Sequence, residues 1–121
     1  MSKRILIVDD NDLLRNLLSQ ALEYAGYAPI GAESAEAALE VIRRDPPDLC
    51  VVDQVMPGMS GAELIRELRA SADVRLRDLP MIGLSGWEKG ERELLAAGAR
   101  NAMRKPCGVE PLLASVRALL G

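Results

Sequence analysis

The chain has 121 residues, enough for one compact domain, and 27% of them are charged against 49% apolar, a balance that excludes a disordered chain. Its formal net charge is -3, with Lys and Arg interleaved among Glu and Asp, a pattern of solvated helix faces that does not suggest a nucleic-acid binder. It contains no histidine, so imidazole acid–base chemistry, histidine metal ligation and phosphorylation on histidine are excluded.

With one Trp, two Tyr and no Phe, the core must be built from Leu, Ile, Val, Ala and Met. Cys50 and Cys107 lie far apart, without metal-ligand spacing. Cys50 sits in an apolar run and reads as a buried, inert thiol; Cys107 reads as a packing residue. The basic start, Met1 to Arg4, is followed by only Ile5 to Val8 before acidic residues. That is too short for a signal peptide, and no run is long enough to span a membrane. The expectation is a soluble cytoplasmic domain covering residues 1–121.

In chain order, Ile5-Leu6-Ile7-Val8 reads as a strand buried on both faces. Leu13, Leu14, Leu17, Leu18, Ala21, Leu22 and Ala25 recur at helical spacing, and Gly26 closes that helix. Ala28–Ala32 is a weaker strand. Ser34 caps a second helix through Ala35, Ala38, Leu39 and Ile42, which Asp45-Pro46-Pro47-Asp48 ends. Leu49 to Val52 is the next buried strand, with Asp53 at its carboxyl end. After a loop from Gln54 to Ser60, the spacing of Ser60 and Glu63 predicts a capping box and a third helix carrying Leu64, Ile65 and Leu68 inward.

A polar connection, Ser71 to Asp78, leads to a fourth strand over Leu79–Leu84. A fourth helix is predicted from about Trp87 to Ala97, closed by Gly98. Asn101 to Arg104 is a fifth strand, with Arg flanking it as befits an edge. Leu112, Leu113, Val116, Leu119 and Leu120 lie along a fifth helix. Strand–helix alternation repeated five times predicts an α/β domain, a doubly wound parallel sheet with helices on both faces.

In such a sheet, ligands bind beyond the carboxyl ends of the strands. Asp9 and Asp10 follow the first strand, Asp53 the third, Ser85 the fourth, and Lys105-Pro106 the fifth. Carboxylates gathered at one rim repel each other unless a cation sits among them. Oxygen ligands select a hard ion such as magnesium, with manganese as the alternative. A lysine adds positive charge for a phosphoryl group, a hydroxyl can donate to its oxygens, and a carboxylate can be the nucleophile that forms an acyl phosphate.

On these residues, the chain resembles a response-regulator receiver domain of two-component signalling. The motifs are Asp9-Asp10, Asp53 followed by Met56-Pro57 and Gly61, Ser85-Gly86, and Lys105-Pro106. The resemblance covers essentially the whole chain. It implies a flavodoxin-like fold of five strands in the order 2-1-3-4-5 with five helices. Asp53 matches the phosphoacceptor and Lys105 the phosphate-binding lysine. Ser85 matches the hydroxyl that moves toward the phosphoryl group.

The implied metal ligands are Asp9, Asp10, Asp53 and the backbone carbonyl of Val55, holding Mg2+. The peptide before Pro106 is expected to be cis. The implied function is a phosphoacceptor without independent substrate turnover. A histidine kinase or phosphotransfer protein supplies the phosphoryl group, and a downstream protein reads the face made by helix 4, strand 5 and helix 5. Direct nucleic-acid and membrane contacts are not expected.

Other readings accompany it. Asp9 and Asp10 could serve only a helix start, Asp53 only a turn, and Ser85, three residues before Glu88, only a helix cap. A degenerate receiver would bind partners without phosphorylation, which the complete acid set and Lys105 oppose. An aspartate-nucleophile phosphatase needs a second acid two residues after the nucleophile, where this chain has Val55. A flavin carrier needs a hydroxyl- and glycine-rich phosphate loop where this chain has Asp9-Asp10-Asn11-Asp12. Ala102 stands where many receivers carry an aromatic, and Trp87 lies two residues after Ser85. The usual coupled swing of hydroxyl and ring is therefore missing in its ordinary form, and the indole either borders the acceptor site or packs on the first turn of its helix.

Overall fold

The computed structural model describes residues 2–120. Five strands form one parallel sheet in the order β2-β1-β3-β4-β5: β1 (Arg4–Val8), β2 (Ala28–Ala32), β3 (Leu49–Asp53), β4 (Met81–Ser85) and β5 (Asn101–Arg104). The helices are α1 (Asp12–Tyr24), α2 (Ala35–Arg44), α3 (Gly61–Arg69), α4 (Val74–Arg77), α5 (Glu88–Ala97) and α6 (Val109–Leu120). The helices expected as fourth and fifth are thus α5 and α6. The sixth is α4, a single turn inside the polar connection after α3. Its Val-Arg-Leu-Arg run is too short for apolar periodicity to register. Tertiary packing of buried Leu76, and Asp73 accepting from the Arg75 N–H, make the turn.

The sheet separates two cores because alternate residues of a strand face opposite ways. Leu6, Val8, Cys50, Val52 and Met81 pack beneath α2, α3 and α5. Ile5, Ile7, Leu49, Val51, Ile82 and Leu84 pack beneath α1 and α6. β1, β3 and β4 are covered on both sides, which explains their uninterrupted apolar runs. β5 is a sheet edge, as its flanking arginines foretold. Cys50 is fully buried, and burial pushes its thiol pKa upward, consistent with an inert packing role.

Local chemistry sets the helix ends near the functional rim. Asn11 caps α1 through the Leu14 N–H, and Ser34 caps α2 through the Ala37 N–H. Ser60 and Glu63 close both halves of the capping box of α3; such a cap contributes about 1 kcal/mol. Gly26, at φ 98°, closes α1 in a backbone conformation that side chains with a Cβ resist. The predicted cap of α5 by Ser85 does not form. Trp87 is the N-cap residue, without a side-chain hydrogen bond, and Ser85 ends β4 instead.

Candidate functional site

At the carboxyl ends of β1, β3 and β5, a cavity of about 420 Å3 is lined by Asp9, Asp10, Asn11, Asp53, Val55, Gly86, Trp87 and Lys105. The sheet itself makes this convergence. Val8 pairs with Val52 in register, so the residues that follow, Asp9 and Asp53, leave adjacent strands side by side. Oxygens of Asp9, Asp10 and Asp53 all lie within 4.8 Å of one another.

The three acids sit in different environments. Asp10 is exposed, whereas Asp9 and Asp53 are 1% and 5% exposed. Asp9 Oδ1 accepts from the Asn11 N–H at 2.9 Å, while its Oδ2 is buried without a hydrogen-bond partner. Lys105 Nζ is the nearby cation, 3.8 Å from that oxygen and 3.2 Å from Asp53 Oδ1. Arg15 steadies the turn from behind, donating to the Asp9 backbone carbonyl at 2.7 Å while pairing with Asp12.

Burial and the neighbouring Asp9 charge raise the Asp53 pKa above the ordinary carboxylate value, and Lys105 pulls the other way. The upward causes, burial first, outweigh Lys105. The residues fit a hard divalent cation. The donor set is all oxygen, one buried oxygen has no partner, and exposed Asp10 leaves room for the waters magnesium retains.

Val55 lines the same cavity, with its side chain exposed. The Lys105–Pro106 peptide is cis, as expected. Trp87 does border the cavity, and it is 44% exposed. Ser85 is the exception. It is buried at the end of β4, yet its Oγ donates to the Trp87 carbonyl at 2.9 Å and accepts from the Trp87 N–H at 3.2 Å. α5 crosses directly above it. A Cβ on Gly90 would come within 2.0 Å of Ser85 Oγ. The hydroxyl is therefore engaged by the α5 entry and does not line the acid cavity.

Gln54, Glu93 and Arg104 were not singled out from the sequence. Buried Gln54 joins the loop after Asp53 to α3 and α5 through the Ala62 N–H and Glu93. Arg104 of β5 pairs with Glu91 of α5 on the side where Ala102 provides no ring. A polar residue directly after Asp53, in a place flanked by buried segments, was the available signal for Gln54.

The fold and this rim define a signalling class. A family model for the response regulator receiver domain matches residues 5–117, and the chain belongs to that family. Response regulator MprA of Mycobacterium ulcerans is 40% identical over 122 residues, covering 99% of this chain and 51% of the relative. The chain thus spans about half the length of the curated relatives it matches.

Among solved structures, the signal receiver domain of a signal transduction histidine kinase from Syntrophus aciditrophicus superposes with a TM-score of 0.91 at 31% identity, covering 98% of this chain and 90% of that one. Chemotaxis protein CheY4 of Vibrio cholerae gives 0.89 at 26% identity, covering 98% and 99%. The chain is therefore a receiver domain of two-component signalling with a flavodoxin-like fold. Among the described residues, no helix is long and apolar enough to cross a membrane.

Proposed function

We propose that this receiver domain is a magnesium-dependent phosphoacceptor that takes its phosphoryl group on Asp53 from a histidine kinase or phosphotransfer protein. The observation that carries the reading is buried Asp53 held 3.2 Å from Lys105 Nζ, next to the unpartnered oxygen of Asp9. In this reading, an Asp53 oxygen attacks phosphorus while the bond from phosphorus to the donor breaks, leaving an acyl phosphate. Lys105, already at the acceptor oxygen, offsets charge on the phosphoryl oxygens.

Asp9, Asp10, Asp53 and the Val55 carbonyl would hold the cation. When bound, it neutralises the acid cluster and the incoming phosphoryl oxygens. Asp53 is buried at the floor of the cavity, and the Trp87 indole at the rim screens attacking water.

A phosphoryl group adds a charge of about -1.5 to -2 at neutral pH. Ser85, at the end of β4, is the hydroxyl we assign to answer it, by leaving Trp87 and turning toward Asp53. That movement would alter the face formed by α5, β5 and α6, which we assign to a downstream protein. The domain acts in the cytoplasm on this reading, without turning over a separate substrate. The complete acid set leaves a phosphorylation-independent receiver without a supporting observation. The test is intact-mass measurement with magnesium and a small acyl phosphate, where one phosphoryl group should be gained and lost again on alkaline hydrolysis. No gain in mass would refute the assignment.

A further inference from the structure

Gln54 follows Asp53 directly and is 5% exposed, yet each of its polar groups has a partner. Its N–H donates to the Leu84 carbonyl at 2.9 Å, and its carbonyl accepts from the Gly61 N–H at 3.0 Å. Its Oε1 accepts from the Ala62 N–H at 2.8 Å, and its Nε2 donates to Glu93 Oε2 at 2.7 Å. The first three partners are backbone groups of the sheet rim and the first turn of α3, set by the fold itself. Glu93 is different. It is a half-buried side chain on α5, and its other oxygen lies 3.9 Å from exposed Lys89 Nζ.

α5 is also the helix that holds Ser85 back. Trp87 engages the hydroxyl through its backbone, and Gly90 sits over it. Turning Ser85 toward Asp53 must release Trp87 and move the first turns of α5. Glu93, about one turn beyond Gly90, travels with them. The move would part the Gln54 amide N–H from its charged acceptor, a part-buried bond whose loss carries a cost.

We propose that Gln54 and Glu93 form a latch, a positioning pair that holds α5 in the arrangement with Ser85 withdrawn from the acceptor cavity. This rests on the phosphoacceptor reading above. The latch places the resting tie one residue from the acceptor itself, in a chain whose β5 offers Ala102 and no aromatic ring to follow the hydroxyl. A ligand that favours the Ser85-forward arrangement must work against the pair. Reciprocally, removing the pair must tighten that ligand.

The test titrates beryllium fluoride, a phosphoryl mimic, with magnesium into the full chain, and measures amide exchange across residues 88–97 in the free protein. Glu93→Ala should bind the mimic about fivefold more tightly and exchange faster along α5. Glu93→Gln keeps an oxygen that accepts from Gln54 and should behave as wild type. Gln54→Leu, which also removes the acceptor of the Ala62 N–H, should tighten the mimic too, and combined with Glu93→Ala the two should fall short of additivity.

Unchanged or weaker binding by Glu93→Ala, or failure of Glu93→Gln to restore wild-type behaviour, overturns the latch. So does additivity in the double variant. Glu93 lies on the helix surface, so its variants keep the test decisive even if Gln54→Leu does not fold. A wild-type chain that binds no mimic with magnesium overturns the phosphoacceptor reading and the latch with it. A wild-type chain that binds, beside a Glu93→Ala variant of equal affinity, overturns the latch alone.

Discussion

The rim of the sheet has two halves in different states. Around β1 and β3, Asp9, Asp10 and Asp53 already meet, with the Lys105 ammonium reaching in from the end of β5. Around β4 and α5, Ser85 is buried against the Trp87 backbone under Gly90, and Gln54 binds Glu93. The first half is assembled for binding before any ligand arrives, and it carries unbalanced charge and an unpartnered oxygen. In the second half the Ser85 hydroxyl and the Gln54 amide are both engaged, so it must give up contacts to respond. A receiver built this way stores the demand for a ligand in one place and the resistance to change in another.

The largest effect should come from removing the acceptor. Asp53→Asn should abolish the mass gain with magnesium and acyl phosphate, and persistent labelling would move the acceptor elsewhere. The cation should come next. Magnesium at a hundred times its dissociation constant should raise folding stability by about 2.7 kcal/mol. Asp9→Asn should remove most of that gain in thermal melts, because it neutralises the buried acid whose oxygen has no partner. An equal gain in both proteins would place the ion away from Asp9.

The second half of the rim can be broken by a single methyl group. Gly90→Ala puts a Cβ within 2.0 Å of Ser85 Oγ and should cost about 1–3 kcal/mol by overpacking. Set against the propensity gain of about 1 kcal/mol for replacing a helical glycine, the net loss should reach about 2 kcal/mol. Gly86→Ala meets nothing within 4 Å and should change chemical-denaturation stability by less than about 0.5 kcal/mol. Equal costs for the two would mean that α5 does not seat on Ser85 as described. Trp87, which joins both halves, should change its emission on saturation with magnesium or a phosphoryl mimic; a flat signal with both would separate the indole from the site.

The smallest effect concerns pH in the metal-free protein. The folded state raises the Asp53 pKa, chiefly through desolvation and then the Asp9 charge. The folded protein therefore holds that proton more tightly than the unfolded chain. Stability is lost as pH rises from the ordinary aspartate range through the folded value. Asp53→Asn removes that loss, so without metal it should melt higher than wild type at neutral pH, with the advantage shrinking in acid. A variant that melts lower at neutral pH would contradict the unbalanced charge assigned to the first half.

Much of this was legible in the residues alone. Buried strands announce themselves as apolar runs, so β1, β3 and β4 stood out, and the Ser60–Glu63 spacing predicted a cap that forms. The acid set and Lys105 were legible because parallel strands deliver their following residues to one rim. The single turn of α4 was not, because four residues hold no period. Nor was the orientation of Ser85, whose spacing to Glu88 fitted a cap that the chain does not make. Spacing records which partners are within reach, whereas the choice among them depends on what packs overhead.

By itself, the order of residues determined the alternation of strands and helices, the two-sided burial of the central sheet and the membership of the acid rim. These follow from local periodicity and from which residue types end each strand. Tertiary structure alone decided that Asp9 leaves an oxygen without a partner, that Ser85 bonds to Trp87, and that Gln54 reaches Glu93, 39 positions further along the chain. Those outcomes depend on how closely α5 sits on β4, and that distance is set by packing across the whole core.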